Sequence, residues 1–214
     1  MNICAAKLAA NEAEVLCATG QYAAALPPLQ LAIDLGHLPS RALEAFILLF
    51  GRKGVAKDHN VAFKLVEEGA RLGCHHCQGV MAWCYRYGCG CMRDERLSLE
   101  LARESSGSGS RYGQFALARL YQHGEGGVAQ DYAQAVALFH FAAVQNHDGA
   151  LWSLGFHHQK GLGVPQNHAE ALRLFQLAAA QGYHYAMFDV ASCQERGLGA
   201  PIKRQKPVAG TSAH

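Results

Sequence analysis

The alternation of apolar and polar positions in residues 147–182 predicts two helices joined by a glycine turn. Residues suited to a buried helix face recur every fourth position at Ala150, Leu154 and His158. Gly161 and Gly163 follow, and glycine takes the left-handed conformation after a helix C-terminus without steric cost. The first helix of this segment is therefore expected to end at Gly161.

A second helix is predicted to begin at Asn167, which is a good N-cap residue. Glu170 stands three residues later, the spacing of a capping box in which each side chain satisfies a backbone N–H of the other residue. Small or apolar residues then share one face, at Ala171, Leu174, Ala178 and Ala179. Such a face lets two helix axes approach closely, and Gly182 is expected to end the helix.

The same unit recurs along the chain at spacings that alternate between 37 and 36 residues. The residue that ends each second helix is Gly36, Gly73, Gly109, Asn146 or Gly182. The turn position holds Val55, Cys91, Val128 or Val164, and the capping position holds Asp58, Asp94, Asp131 or Asn167. A fixed period of this length predicts an all-α repeat array in which stacked helix pairs bury a continuous core.

The shared pattern, Ala-x-x-x-Leu-Gly-x-x-Tyr-x-x-Gly-x-Gly-Val-x-x-Asp-x-x-x-Ala, resembles the Sel-one-like repeat, a relative of the tetratricopeptide repeat, over roughly residues 37–200. The resemblance implies a right-handed α-solenoid of paired antiparallel helices that acts as an adaptor or assembly surface without catalysis. Several positions depart from the family pattern. His158 stands where Tyr is favoured, Gly113 and Cys77 stand where Ala is favoured, and Glu44 lies near an expected Leu.

The period divides the chain into three parts. Residues 1–36 are predicted to form an N-terminal tetratricopeptide-like helix pair. Residues 37–198 are predicted to form the repeat array, with copies at 37–73, 74–109, 110–146 and 147–182 and a partial copy at 183–198. Residues 199–214 are predicted to form a flexible tail without a second helix, because Lys203 replaces the capping Asp and Pro207 replaces a packing Ala.

Pro27 and Pro28 disturb the second helix of the N-terminal pair. Proline inside a helix removes a backbone donor and clashes with the preceding turn, whereas proline is well tolerated in the first turn. Either the helix is kinked at this point or it begins at Pro27, and the late start is the preferred prediction.

Composition adds limits on the class of partner. The chain of 214 residues is 50% hydrophobic and 17% charged, which permits an extensive core. With 19 basic and 17 acidic residues, its net charge of +2 gives no strong field for nucleic acid or for an anionic membrane. We therefore expect neither as a partner.

The N-terminal segment does not read as a secretory signal, because Lys7, Asn11, Glu12 and Glu14 interrupt its apolar residues. No apolar run reaches about 18 residues, the approximate minimum for a membrane span. We therefore expect a cytoplasmic location, in which the eight cysteines would be thiols or metal ligands rather than disulfides.

Five of the eight cysteines fall in one repeat, at Cys74, Cys77, Cys84, Cys89 and Cys91. Thiolates at such spacings are able to surround a zinc ion, so a metal-binding or redox-sensing module is the alternative function. In repeat register, however, Cys77 takes the place of a small Ala and Cys91 the place of a Val. Free cysteine behaves as a small hydrophobic residue, so we expect these thiols to fill the core and predict no cofactor.

The chain shows no pattern typical of an enzyme. Seven histidines of the last repeats lie without a metal-binding register, at His123, His140, His147, His157, His158, His168 and His184. A nucleophile elbow, a phosphate-binding loop and a dinucleotide fingerprint are all absent from the sequence. A hydrolase remains a minor alternative, since some secreted cysteine-rich members of the resembled family are similar to beta-lactam-binding proteins.

The predicted function is that of a non-catalytic scaffold or adaptor whose first helices line the concave face of the array. The register of those helices assigns partner contacts to Trp83, Arg86, Tyr87, Arg119, Gln122, His123, Phe156, Gln159 and Lys160. Aromatic and cationic residues are enriched at interface hot spots, so an extended or helical peptide with acidic residues is the expected partner. Weak self-association through the C-terminal end is also expected, with Tyr185, Phe188 and Val190 partly exposed.

Overall fold

The computed structural model describes residues 3–199, and within this range the chain forms α-helices and no β-strand. The helices are α1 (Ile3–Ala18), α2 (Tyr22–Asp34), α3 (Leu38–Phe50), α4 (His59–Arg71), α5 (His75–Tyr87), α6 (Glu95–Gly107), α7 (Arg111–His123), α8 (Tyr132–Val144), α9 (Asp148–Lys160), α10 (His168–Ala180) and α11 (His184–Glu195). Helices α1, α3, α5, α7 and α9 each pack against the helix that follows, and α5 also contacts both α3 and α7. The predicted all-α solenoid is confirmed.

The turns use the chemistry that the sequence predicts. Gly51, Gly88, Gly124 and Gly161 end the first helix of four successive pairs in the left-handed conformation, with φ of 61°, 69°, 69° and 70°. The next helix then begins at a side-chain cap. Asp58, Asp94, Asp131 and Asn167 each accept a hydrogen bond from a backbone N–H in the first turn of the helix that follows.

The capping box predicted at Asn167 forms only in one direction. Asn167 accepts from the Glu170 N–H at 3.0 Å, but its own N–H donates to the His158 carbonyl at 2.9 Å. Glu170 instead accepts two hydrogen bonds from Arg173. Because the turn already gives the cap N–H an acceptor in the preceding helix, the reciprocal side-chain bond is not needed.

The predicted late start of α2 is wrong, because the helix runs from Tyr22 and contains both Pro27 and Pro28. The prolines leave the carbonyls of Ala23 and Ala24 without an N–H from four residues onward. Both alanines are exposed, so water has access to those carbonyls. Burial of Tyr22 and Ala25 on the other side of the helix favours the longer form.

The array closes on itself, because the N-terminal helix pair reaches the far end of the solenoid. The Tyr22 hydroxyl donates to the Gln181 carbonyl at 2.7 Å, across 159 residues of sequence. Arg111 Nη2 lies 3.1 Å from Glu14 Oε1. Arg52 Nη2 lies 2.6 Å from Asp148 Oδ2, and both of these side chains are buried. Contacts between distant repeats therefore occupy the end of the array at which α7 and α9 begin.

The far end of the array ends in a sparsely buried helix. In α11 only Ala186 and Cys193 are buried, whereas Phe188 is 74% exposed and Tyr185 is 56% exposed. Val190 is half-buried. The predicted flexible tail and the predicted absence of another helix fall, beyond Gly199, outside the described residues. No helix in the part of the chain that the structure describes is long and apolar enough to cross a membrane.

Candidate functional site

One position recurs in the first helices of four successive repeats. It is occupied by Phe46 in α3, Trp83 in α5, Arg119 in α7 and Phe156 in α9. Trp83 is half-buried and its ring stacks on Phe115 at 5.2 Å between centroids. The same ring lies 5.3 Å from Phe50 and 4.5 Å from Tyr87. Trp83 thus serves as packing between neighbouring repeats.

Arg86 does not lie on an open surface, although the sequence analysis assigns it a partner contact. Its side chain is 3% exposed and its Nε donates to Glu125 Oε2 at 2.6 Å in the turn of the next repeat. This hydrogen bond lowers the pKa of Glu125. Arg86 also lies over the ring of Tyr87, at 4.8 Å from its centroid. The Arg86 guanidinium therefore joins two neighbouring repeats.

The end of α7 carries three polar residues that remain accessible. Arg119 is half-buried, and its Nη1 donates to Gln122 Oε1 at 3.2 Å, while its Nε is buried without an acceptor. No carboxylate of the described residues pairs with Arg119. His123 is exposed, but partial burial of its ring, together with Arg119 and Arg86, lowers its pKa. His123 is therefore neutral at physiological pH.

The end of α9 continues this row. Phe156 is half-buried and stacks on Trp152 at 6.0 Å between ring centroids. Gln159 is also half-buried and contacts the thiol of Cys193 at 3.8 Å, whereas Lys160 is exposed. Of the nine predicted contact residues, the structure therefore leaves Tyr87, His123 and Lys160 exposed, and half-buries Trp83, Arg119, Gln122, Phe156 and Gln159. We call these eight residues the inner row.

The five clustered cysteines do not converge on one point. Cys74 and Cys77 lie at the start of α5, where Cys77 faces Gly69 and contacts the Leu38 carbonyl at 3.7 Å. Cys84 is fully buried about two helical turns further along α5. Among the described residues, no three His, Cys, Asp or Glu side chains are placed to hold a metal ion. All eight cysteines are free thiols.

Cys74 nevertheless differs from the other buried thiols. A side-chain hydrogen bond between the Cys74 and Cys77 thiols lowers the pKa of Cys74, while burial raises the pKa of Cys84. Cys74 is the N-cap of α5, and thiolates are stabilised at helix N-termini. Only 7% of Cys74 is exposed, so its access to a reactant is restricted.

Sequence reasoning missed the network that closes the array. Arg52 lies in the turn after α3, where the other turns have Cys89, Glu125 or Leu162. Its guanidinium carbon lies 5.1–5.4 Å from four ring centroids, those of Tyr22, Phe46, Phe50 and Tyr183. An arginine in a glycine-rich turn is usually solvent-exposed, so only the contacts between distant repeats reveal its burial.

A cavity of about 350 Å³ lies where the N-terminal pair meets the rest of the array. It is lined by Asn11, Glu14, Val15, Cys17, Ala18, Tyr22, Leu43, Phe46, Arg111, Tyr112, Asn146, His147, Asp148 and Gln181. The sequence pattern assigns no role to His147. In the structure it caps α9 through Nδ1, which accepts the Ala150 N–H at 3.2 Å, and its Nε2 is buried without a partner.

Paired helices, left-handed glycine turns and capped second helices define an α-solenoid repeat protein of the tetratricopeptide-like class. A family model described as Sel1 repeat matches residues 45–74, 75–110, 111–147, 149–183 and 184–207, and the chain belongs to that family. Sel1 repeat proteins generally act as scaffolds for protein–protein interaction, and their fold is typically non-enzymatic.

Solved structures agree with this assignment. A protective antigen of uropathogenic Escherichia coli is 25% identical, with a TM-score of 0.56, over 83% of this chain and 38% of its own. A Sel1 repeat protein of Oxalobacter formigenes is 20% identical, with a TM-score of 0.57, over 90% of this chain and 76% of its own. One from Klebsiella pneumoniae is 19% identical, with a TM-score of 0.58, over 88% and 93%.

The present chain thus spans 38% of the length of the E. coli antigen. The likeness to the other two proteins concerns the fold alone. No curated protein sequence matches the chain.

Proposed function

We propose that the chain is a non-catalytic protein-binding module whose inner row contacts an acidic segment of a partner protein. The observation that carries the proposal is the repetition of accessible aromatic and polar groups at equivalent positions of α5, α7 and α9. Tyr87, His123 and Lys160 occupy one such position in the three helices, and all three are exposed. Residues at the same register of successive repeats form a continuous strip, which suits an extended or helical segment.

The charge of the strip favours an acidic partner. Arg86 is neutralised by Glu125, but neither Arg119 nor Lys160 forms an ion pair among the described residues. An uncompensated, half-buried guanidinium attracts carboxylates and gains affinity when water is excluded. The half-buried Phe156 provides the apolar contact that hot spots require.

The test uses variants that spare the packing between repeats. We expect a single partner to be captured by the immobilised protein and to bind about ten- to a hundredfold more weakly to the Arg119→Gln, Lys160→Gln double variant, since each of the two lost contacts is worth about 0.7–1.4 kcal/mol at an accessible surface. Trp83→Ala is unsuitable, because Trp83 packs against Phe50 and Phe115. Lys64→Gln on the exposed face of α4 is the matched control.

Retention of full affinity by the folded double variant would show that the inner row is not the binding surface. Equal loss of affinity in Lys64→Gln would indicate only a general effect of net charge. Circular dichroism and the melting temperature establish that each variant is folded.

A further inference from the structure

The cavity of about 350 Å³ between the N-terminal pair and the starts of α7 and α9 is separate from the inner row, which lies at the opposite ends of those helices. Its volume is at the lower end of the range of cavities that enclose small molecules, about 300–1,000 Å³. Its walls are mixed. Leu43, Phe46 and Val15 provide apolar contact, while polar groups lie around Arg111 and His147.

The first polar group is an unpartnered donor. His147 is 4% exposed, and burial, together with Arg111 and Arg52, holds its pKa well below the ordinary value, so the ring is neutral. Its Nδ1 accepts the Ala150 N–H, so the ring hydrogen must be on Nε2. That Nε2–H has no acceptor among the described residues. The Nε2 atom is covered by the surrounding side chains, so a ligand in the cavity does not reach it.

The second polar group is the arginine that already holds a carboxylate. Arg111 Nη2 donates to Glu14 Oε1 at 3.1 Å and to the Tyr112 hydroxyl at 3.3 Å. The Glu14 side chain is 55% exposed, so its ion pair is weak and easily exchanged for another carboxylate. Tyr112 accepts from Arg111 and gives its own hydroxyl hydrogen to no described acceptor.

Arg111 and the Tyr112 hydroxyl therefore supply donors to the cavity. Helices α7 and α9 both begin there, and the positive ends of their dipoles add to the attraction for an anion. Asp148 also lines the cavity, but Arg52 and the Gly149 N–H compensate its charge. The remaining walls accept an apolar group of modest size.

We infer that this cavity binds a small monocarboxylate with an apolar body, which replaces Glu14 on Arg111 and accepts a hydrogen bond from the Tyr112 hydroxyl. The same chemistry is carried by a free acid or by the C-terminal residue of a peptide. In either case the carboxylate binds the Arg111 guanidinium, and the apolar group contacts Leu43 and Phe46.

The test compares 3-phenylpropionate with 3-phenylpropanamide by calorimetry and by amide chemical shifts of the full chain. The acid should bind about tenfold or more tightly than the amide, because a charged acceptor roughly doubles the strength of each hydrogen bond. Shifts should be confined to residues that line the cavity, such as Cys17, Leu43 and Asn146.

Three variants make the test directional. Glu14→Gln should strengthen binding of the acid about two- to fivefold, because it removes the competing carboxylate of an exposed ion pair. Tyr112→Phe should weaken binding about three- to tenfold through loss of one hydroxyl donor. Arg173→Gln, at an exposed ion pair on α10, is the matched control and should change nothing.

The inference is overturned if folded wild-type protein and Glu14→Gln both fail to bind the acid. It is equally overturned if acid and amide bind alike, or if Glu14→Gln weakens binding. The tetrapeptide Ala-Ala-Ala-Phe with a free carboxyl distinguishes the two sources: tighter binding than 3-phenylpropionate identifies a peptide C-terminus, and weaker binding identifies a free acid.

Discussion

Arg52 combines cation–π contacts with an ion pair, and each of these two interactions is weak at a protein surface. Its guanidinium lies within 5.4 Å of four ring centroids and 2.6 Å from Asp148, and its side chain is 4% exposed. The stacked rings exclude water, so the ion pair acts in a medium of low dielectric constant. Removing one partner of such a pair leaves a buried charge without compensation.

We expect Arg52→Leu to lower the free energy of unfolding by about 3–5 kcal/mol, because it leaves Asp148 buried and unpaired. The double variant Arg52→Leu, Asp148→Asn should lose less than the single variant, since no uncompensated charge remains. Urea unfolding followed by circular dichroism measures both. Arg173→Ala at the exposed pair with Glu170 should cost at most about 0.5 kcal/mol, and a similar small loss for Arg52→Leu would contradict the assignment.

His147 predicts a dependence of stability on pH. Its folded-state pKa is lowered, chiefly by burial, whereas an unfolded histidine titrates near pH 6.5. Below pH 6.5 the unfolded chain holds more protons at this site, so the free energy of unfolding falls as the pH falls. One histidine contributes at most about 1.4 kcal/mol per pH unit.

The variant His147→Asn keeps an N-cap acceptor and cannot titrate. Between pH 7.5 and pH 5.5 the free energy of unfolding of this variant should fall less steeply than that of the wild type. The difference in slope should correspond to the uptake of about one proton. His76 and His157 also have lowered pKa values, chiefly because of burial, and supply a residual slope. Burial raises the pKa of neighbouring Asp148, which acts in the opposite direction, but it does so in both proteins. Identical slopes would show that His147 is not the titrating group.

At the scale of elements, the sequence predicts the helices well because their ends depend on local chemistry. Glycines with positive φ and capping residues three positions before a backbone N–H are local signals, and they recur with the repeat period. The start of α2 was predicted wrongly, because burial of Tyr22 outweighs the local cost of two prolines. Eight of the nine predicted contact residues are exposed or half-buried, whereas Arg86 is buried. Burial of Arg86 and the position of Arg52 depend on contacts between repeats, which the register does not contain.

At the N-cap of α10, the two hydrogen bonds of the predicted capping box can be tested separately. We expect Asn167→Ala to lower the free energy of unfolding by about 1 kcal/mol, because the Glu170 N–H loses its acceptor. Glu170→Gln should have less than about half of that effect, because it removes only the exposed ion pair between Glu170 and Arg173. Thermal or urea unfolding compares the two. Equal losses would indicate that the reciprocal bond forms in solution.

For the whole molecule, the two ends of the array should differ in local stability. The N-terminal pair is tied by Tyr22, Glu14 and Arg52 to the far repeats, whereas α11 buries only Ala186 and Cys193. Amide hydrogens of α11 should therefore exchange about tenfold or more faster than those of α9, and those of α2 should exchange slowly. Hydrogen exchange read by mass spectrometry measures this difference. Equal protection of α11 and α9 would mean that another surface covers α11.

The exposed end also predicts a concentration dependence. Phe188 and Tyr185 form an apolar area that a second copy would cover, so weak self-association should be detectable by ultracentrifugation. Phe188→Ser should abolish it while leaving the melting temperature unchanged, since Phe188 is 74% exposed. A strict monomer at all concentrations would remove this expectation.

The hydrogen bond between Tyr22 and Gln181 constrains the number of repeats in this chain. In an open solenoid that number is not constrained in this way. Open arrays tolerate gain or loss of a unit, because each repeat contacts only its neighbours. Here a copy removed or inserted between residues 75 and 147 would rotate the far repeats away from the N-terminal pair and separate Arg52 from Asp148. Repeat duplication, the usual route by which such proteins change length, is therefore expected to be selected against in this chain.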